Sequence, residues 1–444
     1  MKHLERPFHH ALAVSKQACR GCTRCMKNCP TEAIRIVFGT AQVNPEICID
    51  CGQCLDACPY RAITVEQDDF RQIFNYSHRV AIIPSVFIGQ FPEDIPESFI
   101  FQSLYDIGFT HLYEAEFGVD ILSAMSQRFS TYASHKPIIS SFCPAVVRLI
   151  QIRYPSLIDH INLLRPPMEI TALYIREKLQ EEGIPLDTLG LFYVTPCAAK
   201  IADIKTPETE FEPLIDGVIN LDYLYNLVYT NISKHRKHLE KAKPAMQHIS
   251  SRACLWSLTG GEQQTVSGNA IAVDEIHNVI EFLEKLENDE VQELDFLELL
   301  SCDEGCAGGV LNPSNRFLTV ERMKKRAKSA TGPDTTALQE IRRLSRNFLR
   351  SIKVDSIEAH AADALDEDIS AALEKMEKVR RISAKLPGID CGVCGAPNCE
   401  ALAKDIVLGR ASIASCGILQ LNKNRPALRK IWGDTLSEDP LDRE

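Results

Sequence analysis

Residues Asp295–Gly309 read DFLELLSCDEGCAGG, a short apolar run that breaks into a loop carrying two cysteines and two adjacent glycines. The run is too short for a helix and is bounded by turn residues, which predicts a buried strand. Three similar runs lie upstream: Arg79–Val86 (RVAIIPSV), Lys136–Phe142 (KPIISSF) and Leu189–Pro196 (LGLFYVTP). Helical patterns such as PAVVRLIQIRYPSLIDHI and EITALYIREKLQEEG separate them. Such alternation predicts an α/β domain with a largely parallel sheet, and ligands of these folds gather at the carboxyl ends of the strands. Cysteines stand at three of those ends: Cys143 after PIISSF, Cys197 after LFYVTP, and Cys302 and Cys306 after FLELLS. A lone cysteine is more often a small buried hydrophobe than a ligand. Four of them converging on one sheet edge point instead to bound metal. Pro144 favours the first helical position, so the Cys143 thiolate is expected near the positive end of a helix.

The chain has 444 residues, too many for one ordinary domain, and a 45% hydrophobic content adequate for buried cores. Its 49 basic and 60 acidic side chains give a net charge of −11, which argues against a nucleic-acid partner. No apolar run reaches the roughly 18–20 residues that span a bilayer. The opening MKHLERPFHHALAV lacks the apolar segment of a secretory signal. A cytoplasmic protein without a membrane partner is expected. In a reducing compartment, 17 cysteines mean metal or redox chemistry rather than structural disulfides.

Eight of the cysteines form an internal repeat with a period of 29 residues. Its copies read CRGCTRCMKNCPTEAIRI from Cys19 and CIDCGQCLDACPYRAITV from Cys48. Each is C-x2-C-x2-C-x3-C-P followed by A-I, a spacing in which three cysteines wrap one [4Fe–4S] cube and the fourth serves the other. The predicted sets are Cys19, Cys22, Cys25 and Cys58, and Cys48, Cys51, Cys54 and Cys29. The repeat resembles the bacterial two-cluster ferredoxin domain.

The middle of the chain, over residues 78–345, resembles the catalytic domain of [FeFe]-hydrogenases. The stretches that carry the likeness are SSFCP (Ser140–Pro144), TPCAAK (Thr195–Lys200) and LSCDEGCAGG (Leu300–Gly309), with a weaker one in WSLTGGE (Trp256–Glu262). The resemblance implies that Cys143, Cys197, Cys302 and Cys306 hold a [4Fe–4S] cube joined to a two-iron azadithiolate centre with CO and cyanide, the H-cluster. Cys306 would bridge the two parts, and Lys200 and Ser85 would be hydrogen-bond donors to the cyanides.

The departures bear on function. Phe142 replaces the cysteine that relays protons in that family, and Ser126 and Phe129 stand where two relay glutamates are expected. Thr195 and Leu300 replace methionines, and Ile83 an alanine of the pocket. A phenyl ring has no exchangeable proton, and lost acid–base delivery typically slows a reaction about 10²–10⁴-fold. The pattern IISSFCPAVVRLI, with IPSVFIGQFPE, is closest to the sensory group of the family. That likeness implies a slow hydrogen or redox sensor, electrons passed through accessory clusters, a ferredoxin or other redox partner, a separate signalling protein, and maturation enzymes if the two-iron centre is present. The alternative is a non-catalytic electron-transfer or scaffold protein with a cubane alone in the central site.

Near the C-terminus, Cys391, Cys394, Cys399 and Cys416 follow C-x2-C-x4-C-x16-C within LPGIDCGVCGAPNCEALAKDIVLGRASIASC. They resemble the small 4Fe–4S domain of the sensory relatives and of corrinoid iron–sulfur proteins. Four-cysteine zinc binding is the alternative. Cys254 has no partner at ligand spacing and is expected as a buried thiol. The runs KHRKH (Lys234–His238) and RMKKRAK (Arg322–Lys328) are expected as solvated faces, or as a docking patch for an acidic ferredoxin.

The expected fold class is therefore an α/β catalytic-type domain with largely parallel sheets over residues 76–345. An N-terminal α+β bacterial-ferredoxin-like domain (1–75) precedes it. A helical linker (346–382) and a small helical C-terminal Fe–S domain (383–444) follow.

Overall fold

A computed structural model describes residues 8–124, 135–206, 213–239, 248–360, 365–366 and 368–432. In chain order the strands are β1 (Leu12–Val14), β2 (Ile34–Val37), β3 (Thr40–Val43), β4 (Ile63–Val65), β5 (His78–Ile83), β6 (His111–Glu114), β7 (Ile138–Ile139), β8 (Leu189–Thr195), β9 (Gly217–Asn220), β10 (Ala270–Val273) and β11 (Phe296–Leu299). The described residues divide into a larger unit (8–13, 49–52 and 64–360) and a smaller one (14–48, 53–63 and 365 onward).

The larger unit holds two parallel sheets, ordered β6-β5-β8-β9 and β10-β11-β7. All seven residues of β8 are buried, as a central parallel strand with both faces covered requires. β6, β9 and β10 escape sequence reading, since HLYE, GVIN and AIAV are runs of only four residues. β7 is shorter than its apolar run suggests. After Ile139 the chain leaves the ladder, although Ser140 N still donates to Leu297 O at 2.9 Å. The long helical pattern after Cys143 is two elements, an α-helix over Pro144–Arg153 and a 3₁₀ turn over Pro155–His160. Pro155 has no N–H and holds Tyr154 out of the helical region, at φ −129° and ψ 54°. No described helix is long and apolar enough to cross a membrane.

The segment expected as a linker is shared out by packing. Phe348 and Ile352 are buried in the same apolar cluster as Ile82, Phe117 and Tyr174, which carries the larger unit past residue 345. In the smaller unit, Val379, on the helix Ile369–Ser383, packs with Ala401 and Leu402.

The repeat is visible in the smaller unit as duplicated geometry. Arg24–Lys27 and Gln53–Asp56 are one-turn helices, and Glu32 and Arg61 both take positive φ, 55° and 49°. The alanine of each A-I pair donates its N–H to the fourth cysteine of its motif, Ala33 to Cys29 Sγ at 3.2 Å and Ala62 to Cys58 Sγ at 3.3 Å. β2 and β3 form an antiparallel hairpin in which Ile34 faces Val43.

Candidate functional site

Cys143 and Cys197 each occupy the residue just before a helix, Pro144–Arg153 and Ala198–Lys205. Cys302 follows β11, and Cys306 lies on the 3₁₀ turn Gly305–Gly308. Backbone contacts tie the third loop to the second and to the Trp256–Glu262 stretch. Cys306 N donates to Ser257 O at 2.8 Å, and Leu311 N to Pro196 O at 3.0 Å. The glycines of the third motif permit this approach. A Cβ on Gly305, at φ +63°, would lie 2.6 Å from Ser257 O, and one on Gly309 would lie 2.5 Å from Pro196 O. Thr195 fixes the second loop, its hydroxyl donating to Cys197 O at 2.8 Å.

The four thiols are close enough to perturb one another. Burial pushes the Cys197 thiol up to about 12, against Lys200, with Cys306 and Cys143 adding to the rise. Cys302 is raised well above the usual thiol value by burial, then by Cys197, Cys143, Cys306 and Cys51. Cys306 is raised by burial, with Lys200 opposing. Lys200 is only 4% exposed, and its Nζ donates to Cys306 Sγ at 3.4 Å. Burial works against its charge, but Cys306, Tyr193, Cys197 and Cys143 outweigh it and raise its pKa. The ammonium also lies over the face of the buried Phe142 ring, 4.4 Å from its centre. Four clustered, half-buried cysteines beside one ammonium suit an anionic iron–sulfur group, whose iron replaces the thiol protons. Among the described residues, the hydroxyls of Ser257 and Ser301 and the indole nitrogen of Trp256 have no hydrogen-bond partner, so buried donors remain for such a group.

Ser85 begins the turn Ser85–Ile88 and is fully buried. Its Oγ is 3.1 Å from Glu114 Oε2 and 3.0 Å from Glu116 Oε2, and its N–H donates to Glu116 at 2.8 Å. Glu114 is gripped by Arg326, with Nη1 and Nη2 at 2.6 and 2.7 Å. Burial raises the Glu116 carboxyl to about 7, with Glu114 next in effect. A hydroxyl has one proton, so a protonated Glu116 can donate to Ser85 Oγ while Ser85 donates to Glu114. A second pair of buried acids is Glu262, which ends the WSLTGGE stretch, and Glu298, which hydrogen-bonds to its backbone. Glu298, on β11, accepts from Gly260 N at 2.9 Å and Gln263 N at 2.6 Å, and Ser140 Oγ donates to Glu262. Burial raises Glu298 to about 7 and Glu262 to about 8.

In the smaller unit, Cys19, Cys22, Cys25 and Cys58 line one cavity with Ile36 and Ala41. The Cys25 thiol is pushed up to about 11 by burial, with Cys22, Cys19 and Cys58 contributing. Of the other predicted set, Cys48 and Cys54 are buried and Cys29 is half-buried, while Cys51 belongs to the larger unit. Cys391, Cys394, Cys399 and Cys416 surround a second cavity. Cys399 opens the helix Cys399–Val407, and Asn398 caps it by accepting from Ala401 N at 2.7 Å. Burial raises the Cys394 thiol, with Cys391 and Cys416 adding to it.

Three family models match the chain. Residues 77–271 match "Iron only hydrogenase large subunit, C-terminal domain", residues 18–72 a "4Fe-4S dicluster domain", and residues 386–418 a family described by its Fe–S cluster. The central region is therefore similar to the iron-only hydrogenase large-subunit domain over residues 77–271. Iron hydrogenase 1 of Clostridium pasteurianum is 26% identical over 182 residues, 38% of this chain and 31% of that protein. The NADP-reducing hydrogenase subunit HndD of Solidesulfovibrio fructosivorans is 28% identical over 142 residues, 28% of this chain and 24% of its own. The chain thus spans less than a third of the length of these curated relatives. A solved variant of [FeFe]-hydrogenase HydA1 from Chlamydomonas reinhardtii aligns at 14% identity with a TM-score of 0.46, over 64% of this chain and 94% of that one.

Within this hydrogenase-type domain, sequence reading missed the acids Glu114, Glu116, Glu262 and Glu298. A signal existed: Glu298 interrupts the apolar run FLELL, and Glu114 and Glu116 sit in LYEAEFGV. The expectation that Arg322–Lys328 is a solvated face needs correction. Lys324, Lys325 and Lys328 are exposed, but Arg326 turns inward to Glu114, and Arg322 donates to Gly89 O at 3.2 Å. The helix carrying this run packs one face on the core, and its arginines satisfy acids and carbonyls there. Cys254 is fully buried, with Arg326 Nη1 3.7 Å from its sulfur. Ser126 and Phe129 lie outside the described residues.

Proposed function

We propose that the chain is a hydrogenase-like iron–sulfur redox protein that holds an H-cluster at Cys143, Cys197, Cys302 and Cys306 and reacts slowly with H2 and protons, as a hydrogen or redox sensor. In this reading the remaining cysteine sets hold three accessory [4Fe–4S] clusters. Electrons arrive from a ferredoxin or similar carrier, and the response passes to a separate signalling protein. When bound, the two-iron centre supplies the place where protons and electrons combine. The chain's own contribution is a buried charge at Lys200, which favours anionic ligands through charge-assisted hydrogen bonds. Ser85 is expected as a second donor, but its one hydroxyl proton is engaged by the buried carboxylates Glu114 and Glu116, so that role requires the hydroxyl to turn away from both.

The observation that carries the slow reading is the Phe142 ring, buried against Lys200 at the place where the family relays protons. Loading anaerobic protein with a synthetic two-iron cofactor tests it. Infrared bands of iron-bound CO and cyanide are expected, with hydrogen evolution at least about 10²-fold below that of a relay-bearing relative. Absence of those bands would favour the cubane-only scaffold. Turnover at a metabolic rate would overturn the sensor reading.

A further inference from the structure

The smaller unit brings two of its cysteine-lined cavities to a common wall. Ile36, on β2, lines the cavity of Cys19, Cys22, Cys25 and Cys58. Its backbone N–H donates to Gly395 O at 2.9 Å. Gly395 follows Cys394 directly, and Cys394 lines the other cavity. One hydrogen bond and one peptide unit therefore separate the walls of the two cavities.

The contact is built rather than incidental. Gly395 has φ +86°, and a Cβ there would lie 2.1 Å from Ile36 O, so only glycine allows the approach. Lys27 Nζ, two residues beyond Cys25, donates to Asp390 O and, at 2.7 Å, to Pro397 O, on either side of Cys391 and Cys394. Arg35 Nε donates to the buried carboxylate of Asp405 at 2.6 Å, and Asn398 Nδ2 to Glu32 Oε1 at 2.5 Å. These bonds fix one cysteine loop against the other, where a simple tether would leave them free to vary.

We propose that the C-terminal cysteine set and the Cys19/Cys22/Cys25/Cys58 set are consecutive stations of one electron path, joined at the Ile36–Gly395 hydrogen bond. This rests on the reading that both sets hold [4Fe–4S] clusters. In the transfer, a reduced C-terminal cube loses one electron and goes from the 1+ to the 2+ state. The neighbouring cube gains that electron and goes from 2+ to 1+. No bond breaks and no proton moves. The C-terminal cube is refilled by a low-potential one-electron donor of the reduced-ferredoxin class.

Electron paramagnetic resonance of the full-length, anaerobically reconstituted protein, reduced with dithionite, tests the junction. Magnetic interaction between the two reduced cubes is expected as broadened, fast-relaxing signals. Gly395→Ala should leave the C-terminal cube with a separate, slowly relaxing signal at unchanged iron content, while the two cubes of the N-terminal repeat keep their own mutual broadening. If that variant loses its C-terminal iron, Lys27→Met, which removes two hydrogen bonds and adds no bulk to the loop, carries the test and should weaken the interaction. A non-interacting signal from the C-terminal cube in the unaltered protein, or an interaction of that cube that survives in Gly395→Ala with full iron and in Lys27→Met, would overturn the proposal. Zinc at the C-terminal set of iron-replete protein would instead defeat the underlying cluster reading, and metal analysis tells the two failures apart.

Discussion

The ammonium of Lys200 rests on the face of the Phe142 ring, 4.4 Å from its centre. Both side chains are buried. A cation over an aromatic face gains about 0.5–2 kcal/mol, more when desolvated. The phenylalanine read as standing in for a proton carrier thus gives a buried positive charge an aromatic partner.

That contact predicts a contrast between two substitutions. Phe142→Tyr keeps the ring face and should leave stability within about 1 kcal/mol. Phe142→Leu should cost about 1–2 kcal/mol from lost cation–π attraction and imperfect packing. Urea denaturation of the two variants measures the difference. Phe142→Cys should raise hydrogen evolution of the loaded protein by less than about tenfold, because a thiol needs a second carrier to refill it.

Lys200→Met removes the one ammonium that the Cys306 sulfur meets at 3.4 Å. A bound central cube gains negative charge on reduction, and a nearby cation favours that state more strongly in a poorly solvated site. The reduction potential of the central cube should therefore shift negative in Lys200→Met, while the accessory clusters keep theirs. A redox titration followed by electron paramagnetic resonance checks this, and an unmoved central potential would mean that the charge is screened.

The buried acids predict a pH dependence of stability. Burial raises Glu116 and Glu298 to about 7 and Glu262 to about 8. In the unfolded chain such groups release their protons near pH 4.3. Between those values the folded state binds more protons than the unfolded one, so stability is greatest below that range and falls as pH rises to about 7–8. Chemical denaturation across pH 5–8 should show the decline, and Glu116→Gln should flatten it. A rise in stability over that range would contradict the assignment of these acids as protonated.

Metal analysis separates the cysteine sets. Fully reconstituted protein should hold about sixteen irons in four cubes before any two-iron centre is added. Cys197→Ser or Cys302→Ser should remove the central cube and leave the N-terminal pair intact. Cys254→Ser should leave iron content unchanged, since that buried thiol's hydrogen-bond partners among the described residues are Arg326 and Met323. Iron lost from Cys254→Ser would show that the ligand sets are misassigned.

The cysteines, the repeat and the strands that end in them were legible because each depends on local spacing. Three cysteines three residues apart, or an apolar run stopping at a cysteine, declare themselves without tertiary information. β6, β9 and β10 did not, because a four-residue strand becomes a strand only by pairing with a neighbour distant in sequence. Glu116 and Arg326 were hidden for the same reason. An acid and an arginine read as surface residues until the fold joins them through Glu114 and Ser85.

The cavity shared by Cys19, Cys22, Cys25 and Cys58 has a consequence for how the protein is made. The fourth sulfur comes from the second copy of the repeat, so a nascent chain that has emerged only through the first copy presents three thiols and no closing wall. At about 5–20 residues per second the second copy follows on the order of seconds later. On the proposed ligand sets, iron delivered during that interval would meet an open site, so loading would wait until both copies of the repeat had left the ribosome.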